Sequence, residues 1–531
     1  MKHFIDAEHN ERLYIVAFCI LMLLIIVIFR ILELSLTNII ELPSILNQRS
    51  GSGYIQSRGD IFDKNGRLLA TNVYTSSLYA HPKQILNPAL DAYEIARLVP
   101  NIGYHDIKDK LASEKGFVWL KKHLTPSLRQ QVNDLGIPGI YFIDDESRFY
   151  PYGSLTSHVV GYNDIGNEGM AGIERGFNHD LQSGDIYLTI DIRVQHILRD
   201  ELLQAVKLHN ASKAVGIISD VSTGDIMAMV SIPDFDPNHI TSDTVPNFFN
   251  QATLGVQEMG SIMKICTVAM GLDSGKVKED DLFDVSSPVK IGKYVIKDYR
   301  GRKNDVLSLK ESLMYSSNIA MAQIMRRIGI EKQKDYLRKF GFFDQVAINF
   351  PEVGRPLYPS NWGETHLVTI GYGHGIAVTP LHMVRIFSAI VNGGMLCPVR
   401  IIRSSGKDYS AKDRQPTGTC RRVIKKETSI IMRDLLRSVV ENGYGRKANV
   451  AGYLVGGKTG TAEKVRGGRY LKNVNTALFI GGFPMNAPRY SIYIAIDEAK
   501  PNNINHGFTT GGMVAAPVAK GVIERIGNIL D

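Results

Sequence analysis

Two pairs of apolar runs lie at opposite ends of the second half of this chain. The first is AVGIISDV (214–221), a Ser222-Thr223-Gly224-Asp225 turn, then IMAMVSI (226–232). The second is ALFIGGF (477–483), a turn at Asn486-Ala487-Pro488, then YSIYIAI (490–496). Short apolar runs joined by turn residues predict hairpins, and a hairpin is antiparallel. The runs are almost continuously apolar instead of alternating, so both faces of the sheet must be covered, and helices are the expected cover. Helical spacing recurs at 188–209 (Val194, Ile197, Leu198, Leu202, Leu203, Val206), and a last helix is expected over roughly 512–530. The pattern predicts an α+β domain, assigned to 205–531, whose sheet takes strands from both ends of the segment.

With 531 residues the chain exceeds one ordinary core. LYIVAFCILMLLIIVIF (13–29) carries no charge and, at about 17 residues, spans roughly 25 Å as a helix. Arg12 and Arg30 bracket it, and no small-residue cleavage site follows. A transmembrane signal anchor over 13–31 is expected, after a short tail (1–12), with the remaining residues on one side of the membrane. Between anchor and sheet, residues 49–187 are expected to form an irregular, β-rich domain. RGDIFDKNGRLLA (58–70) reads as a hairpin about Asn65-Gly66, and 147–174 is rich in turn residues and follows no period. The net charge of +8 is modest for this length. Of the four cysteines, Cys397 and Cys420 are the one plausible disulfide pair; free packed thiols are the expectation.

The chemistry concentrates in three places. In GSIMKICTVAMGL (260–272), Ser261 and Lys264 sit three apart at the start of an apolar helix, hence on one face. A serine needs a base before it is a nucleophile. Lys264 serves only when neutral, which burial and a second cation would bring about. Alone the pair is weak: the spacing recurs at Ser287/Lys290 and Ser404/Lys407, and an N-cap serine beside a snorkelling lysine explains it equally well. YSSNIAMAQIM (315–325) places Ser316 and Asn318 on a turn before a helix, where capping is the plain alternative. VGGKTGTAEKV (455–465) offers Lys458, Thr459, Gly460 and Thr461 on an expected edge strand, where a glycine lets an extended peptide approach. SxxK, then SxN, then KTG, in that order and on helix, turn and strand, is the signature of penicillin-binding proteins and serine β-lactamases.

On these residues the chain resembles a class B penicillin-binding protein along nearly its whole length. RGDIFDKNG (58–66), FVWLKKHL (117–124), RFYPYG (148–153) and GMAGIE (169–174) resemble that family's non-catalytic pedestal, of the dimerisation type. GYGHGIAVTPLH (371–382) and GGMVAAPVAK (511–520) resemble its transpeptidase domain. FVWLKK and LGIPGI (135–140) are most similar to the septal branch. The resemblance implies a penicillin-binding transpeptidase fold, serine β-lactamase-like. It further implies Ser261 as the acylated residue, Lys264 as its base, Ser316 as proton relay, and Lys458 as the source of positive potential. Asn318 would bond the substrate amide and Lys264. Thr459 and Thr461 would bind the substrate carboxylate beside Gly460, and the N–H groups of Ser261 and Thr461 would form the oxyanion hole. Substrates would be peptidoglycan stem peptides ending in D-Ala-D-Ala, with β-lactams as mimics. The setting would be a bacterial inner membrane at the division septum, with a membrane glycosyltransferase and other division proteins as partners. Two departures stand out: Met259-Gly260 where Pro-Gly is commoner, and Glu-Asn-Gly-Tyr-Gly (441–445) where Gly-Gly-Thr-Gly is.

Other classes fit less well. A β-lactamase needs a base for the deacylating water, and no ExxLN segment lies between Asn318 and Lys458. A β-lactam sensor needs a cytoplasmic domain that residues 1–12 do not supply. A non-catalytic division scaffold has no use for the five polar residues at these positions, and an elongation-type transpeptidase is the nearer alternative. No metal or other cofactor is expected: the fourteen histidines show no HExxH spacing. Gly371-Tyr372-Gly373-His374-Gly375 lacks a dinucleotide-site setting, and nothing suggests nucleic acid.

Overall fold

The strand from Lys213 to Asp220 (β1) and that from Ile226 to Ile232 (β2) form the first expected hairpin. Three further strands, Gly456–Arg466 (β3), Arg469–Phe483 (β4) and Tyr490–Asp497 (β5), complete a five-stranded sheet. Its order is β3-β4-β5-β1-β2 and every pairing is antiparallel. β5 joins β1, so both ends of the segment meet in one sheet, as the apolar runs require. The structure is a computed structural model. It describes residues 21–25, 27, 30, 58–292, 294–299, 304–405, 419–466 and 469–530.

The pleat sorts the strands' side chains into two cores. Ala214, Ile218, Phe479, Ile492 and Ile494 pack on one face against the helices Ile192–His209 (α1) and Ala515–Leu530. Ile217, Leu478, Ile480 and Tyr493 face the other core, which includes Ile265 and Val268 of the helix Lys264–Asp273 (α2) and Ile324 of Asn318–Ile328 (α3). α1 lies so close that a Cβ on Gly216 would come within 2.6 Å of Leu198 Cδ1. The carboxylate of Asp191 caps its start, and Asn210 ends it in the left-handed region at φ 43°.

Ahead of this domain, Ile61–Phe62 pairs antiparallel with Leu68–Ala80 across the Asn65-Gly66 turn, as expected. Leu68–Ala80 also pairs with Val118–Leu124 and with Ile140–Phe149. Ile61–Phe62 pairs parallel with Ile186–Leu188, whose other edge takes Ile402–Ser405 from far along the chain. The sheet is therefore completed by a strand from the second half.

The aperiodic region 147–174 folds as short helical turns around one buried carboxylate. Glu174 accepts from Arg58 Nε and Arg148 Nε, each at 2.7 Å, with all three side chains almost fully buried. Arg58 also donates to the Glu174 carbonyl at 2.8 Å and to Asn178 Oδ1 at 2.7 Å. Three segments distant in sequence are thus tied by charge-assisted bonds. Glu174→Ala leaves two guanidinium groups without their shared carboxylate, and a loss of about 3–5 kcal/mol is expected. Urea unfolding followed by the near-ultraviolet signal measures it; Glu174→Gln, which keeps an acceptor, should lose less.

Two expectations need comment. Free thiols at Cys397 and Cys420 are wrong: the two form a disulfide. Met395–Leu396 pairs antiparallel with Arg421–Arg422, and that register brings Cys397 opposite Cys420. Cys266 is free and buried. The expected tail (1–12) and most of the expected anchor (13–31) lie outside the described residues; 21–25 are helical. Among the described residues no helix is long and apolar enough to cross a membrane.

Candidate active site

Ser261 lies on a 3-10 turn, Gly260–Met263, that runs directly into α2. Gly260 sits at φ 49°, and a Cβ there would fall 2.7 Å from the Thr461 carbonyl oxygen. Its N–H donates to the Gly373 carbonyl at 3.2 Å. Glycine is thus required by both conformation and space. The Ser261 side chain is half-buried and makes no hydrogen bond among the described residues. Lys264, one turn on, is completely buried. Its Nζ donates to the Ser316 carbonyl at 2.6 Å and to Ser316 Oγ at 3.0 Å. Burial first, and the Lys458 charge second, push the Lys264 ammonium well below its ordinary pKa; the Asp298 carboxylate pulls the other way. The Ser287/Lys290 copy of the motif is exposed on its surface.

Ser316 occupies the left-handed region at φ 56°, rare for a residue with a side chain. That conformation turns both its carbonyl and its hydroxyl toward Lys264. Ser317 then caps α3, accepting from the Ala320 N–H at 3.0 Å. The Asn318 side chain donates to the Lys297 carbonyl at 3.1 Å. The family resemblance implied a bond to Lys264; in this structure Ser316 occupies that lysine and Asn318 does not reach it.

The third motif falls on β3, the edge strand of the sheet, and the turn bearing Ser261 packs against it. A Cβ on Gly460 would lie 3.0 Å from Ile262 Cγ2 and 3.3 Å from the Ile262 N–H nitrogen, so a side chain there would press on the turn. Lys458 pairs with Ile480 of β4 and is completely buried. Its Nζ donates to the Thr459 carbonyl at 3.0 Å, and burial drives its pKa down to about 7. Thr459 is buried with its methyl 3.8 Å from where a Gly512 Cβ would be. Thr461, half-buried, accepts from the Gly511 N–H at 3.3 Å.

Two carboxylates that the motifs did not flag belong to the same site. Glu258, three residues before Ser261, accepts from the Gly375 N–H at 2.6 Å and bonds His374 Nδ1 at 3.1 Å. Tyr470, from β4, donates to it at 3.1 Å. Against the penalty of burial, these partners hold its pKa below the usual range. Asp298 accepts from Ser317 Oγ and from the Asn318 N–H, both at 2.6 Å. Neither stands in a spacing pattern; an aspartate in VIKDYR is an ordinary loop residue until the fold brings α3 to it.

The arrangement sets a half-buried hydroxyl one turn from a buried lysine, places a second hydroxyl on that lysine, and puts the third motif on an edge strand. Residues 214–524 match the family described as the penicillin binding protein transpeptidase domain, and 56–187 match the penicillin-binding protein dimerisation domain. The chain belongs to the penicillin-binding protein transpeptidase family. It is 36% identical to the probable peptidoglycan D,D-transpeptidase FtsI of Caulobacter vibrioides, over 90% of this chain and 83% of that one. It is 31% identical to stage V sporulation protein D of Bacillus subtilis, over 89% and 77%. The fold matches penicillin binding protein 3 of Mycobacterium tuberculosis complexed with aztreonam, with a TM-score of 0.71, 24% identity, and 89% and 96% coverage. This is a penicillin-binding transpeptidase with an α+β catalytic fold and a dimerisation-type domain ahead of it.

Proposed function

We propose that the chain crosslinks peptidoglycan stem peptides through a Ser261 acyl-enzyme during septal wall synthesis. The observation that carries this is Lys264: fully buried, one turn from Ser261, with its Nζ on Ser316 Oγ. Ser261 Oγ attacks the carbonyl of the penultimate D-alanine as Lys264 takes its proton. Ser316 passes that proton to the amine of the departing D-alanine, leaving an ester on Ser261. An amine from a neighbouring stem peptide then attacks the ester. Its surplus proton returns by the same route to Ser261, and a new amide is released. Lys458 keeps the local potential positive, the N–H groups of Ser261 and Thr461 receive the oxyanion, and Thr459 and Thr461 receive the substrate carboxylate beside Gly460. Asn318 binds the substrate amide. The free Ser261 hydroxyl is consistent with this, since catalytic hydrogen bonds tighten when substrate arrives. β-Lactams enter as D-Ala-D-Ala mimics and stop at the acyl stage.

In this reading a tail (1–12) and an anchor (13–31) hold a pedestal (49–187) and a transpeptidase domain (205–531) at the periplasmic face of the inner membrane. A membrane glycosyltransferase and other division proteins work beside it. The septal assignment is supported by the similarity to the FtsI transpeptidase of Caulobacter vibrioides. The Bacillus relative carries a sporulation name instead.

The test supplies the full chain with a D-Ala-D-Ala pentapeptide and an amine acceptor and reads products by mass spectrometry. The crosslinked dipeptide bond with release of D-alanine is expected; hydrolysis alone would overturn the transferase assignment. Complementation of a division-blocked strain against an elongation-blocked one decides the site of action, with rescue of filaments expected and rescue of round cells contrary.

A further inference from the structure

Ser316 holds a conformation that L-residues avoid, at a strain of about 1–3 kcal/mol, and yet it supplies both acceptors of the Lys264 ammonium. A short turn does not hold such a conformation unaided. What holds it is the segment from Lys297 to Asp298. The Asp298 carboxylate accepts from Ser317 Oγ at 2.6 Å, from the Asn318 N–H at 2.6 Å and from the Ile319 N–H at 3.0 Å. The Lys297 carbonyl accepts from the Asn318 side chain at 3.1 Å. Four bonds therefore clamp the residues directly after Ser316. The two N–H groups belong to the first turn of α3, where a carboxylate is favourable and the donors have no partner in the helix. The clamp is itself anchored: Ile296, two residues earlier, is buried in the core that contains α2 and α3.

We propose that Asp298 is a positioning residue of the acylation step: it fixes the Ser316–Asn318 turn, and so sets where Lys264 is held and how readily Lys264 takes a proton. This rests on the transpeptidase reading above. The charge reaches Lys264 directly, since Asp298 favours its ammonium while Lys458 on β3 opposes it. Around Asp298 stand Lys297 and Tyr299 of its own segment, with Tyr315 and Tyr444 near them. Lys264 thus feels a carboxylate and an ammonium with opposed effects. Neutralising Asp298 leaves the ammonium unopposed, so Lys264 loses its proton at lower pH.

The test measures the second-order rate of Ser261 labelling by a fluorescent penicillin, from pH 5 to 10, on the full chain in detergent. Asp298→Asn keeps the size and an acceptor oxygen but removes the charge. Its plateau rate is expected to fall about tenfold or more, and the acid limb of its profile to move to lower pH. Ser317→Ala removes the bond to Asp298 and the cap on the Ala320 N–H but leaves the charge; its plateau should fall with the limb in place. A plateau for Asp298→Asn within about twofold of the parent overturns the proposal. So does a lowered plateau with an unmoved limb, which is what a merely structural prop would give. If Asp298→Asn fails to fold, Ser317→Ala decides through its plateau alone, and no fall counts against the proposal. Absence of labelling in the parent would instead overturn the transpeptidase reading, so the two failures are separable.

Discussion

Ser261→Ala is expected to give no penicillin adduct, while the parent chain is expected to hold one that outlasts hours of washing. The reason lies in what the side chain does in the resting state. It is half-buried and makes no hydrogen bond among the described residues, so removing its oxygen leaves no orphaned partner. The stability change should stay within about 0.5 kcal/mol, as for a substitution that breaks nothing. The loss of labelling therefore cannot be assigned to unfolding, and a thermal melt alongside the gel checks this. Lys264→Met is expected to lose labelling by about a thousandfold or more, since the hydroxyl then has no base. It also leaves the Ser316 carbonyl and hydroxyl without their donor. Rapid release of hydrolysed drug from the parent would point instead to a β-lactamase and would sink the acyl-enzyme assignment.

The parts of the molecule that could be read from sequence are those whose signal is local. Ser261 and Lys264 share a turn, Lys458 to Thr461 share a strand, and the runs at 214–221, 226–232, 477–483 and 490–496 are apolar almost throughout. Each of those elements is found where the pattern put it. The parts that escaped are made by contacts between segments with no common period. Ile402–Ser405 reads as nothing in particular until it pairs with Ile186–Leu188. Cys397 and Cys420 adjoin two short strands whose pairing, not the cysteines' spacing, brings them together. Glu258 and Asp298 are single carboxylates, and their roles come from donors on distant elements: Gly375 and Tyr470 for one, Ser317 and Asn318 for the other. For Lys264 the motif named the residue; the fold supplied its partner, Ser316 rather than Asn318.

Lys458→Met is expected to make the protein more stable and nearly inactive. Lys458 is completely buried, and its Nζ has the Thr459 carbonyl as acceptor. Its pKa stands at about 7, against an unfolded value of about 10.4. The sign follows from proton counts. Between pH 7 and 10 the unfolded chain carries a proton on this lysine that the folded chain has shed, so stability rises with pH across that window. Below pH 7 the folded chain must hold the buried ammonium, and the full penalty applies, roughly 4 kcal/mol. Methionine has nearly the same shape and no charge, so it removes that penalty. Thermal unfolding at pH 6 should show the variant melting several degrees above the parent, with the gap closing as pH approaches 10. Penicillin acylation at or below pH 7, where Lys458 still carries charge, should fall about a hundredfold or more, because Lys264 then keeps its proton and the oxyanion loses its positive field. A variant that melts at or below the parent temperature at pH 6 would show that the burial penalty is not stored at this residue. Two lysines buried within one site are a destabilising arrangement that no packing requirement explains. Burial weakens the hold of both on a proton, the Lys458 charge weakens that of Lys264 further, and a lysine whose hold is weakened in this way is what Ser261 needs beside it.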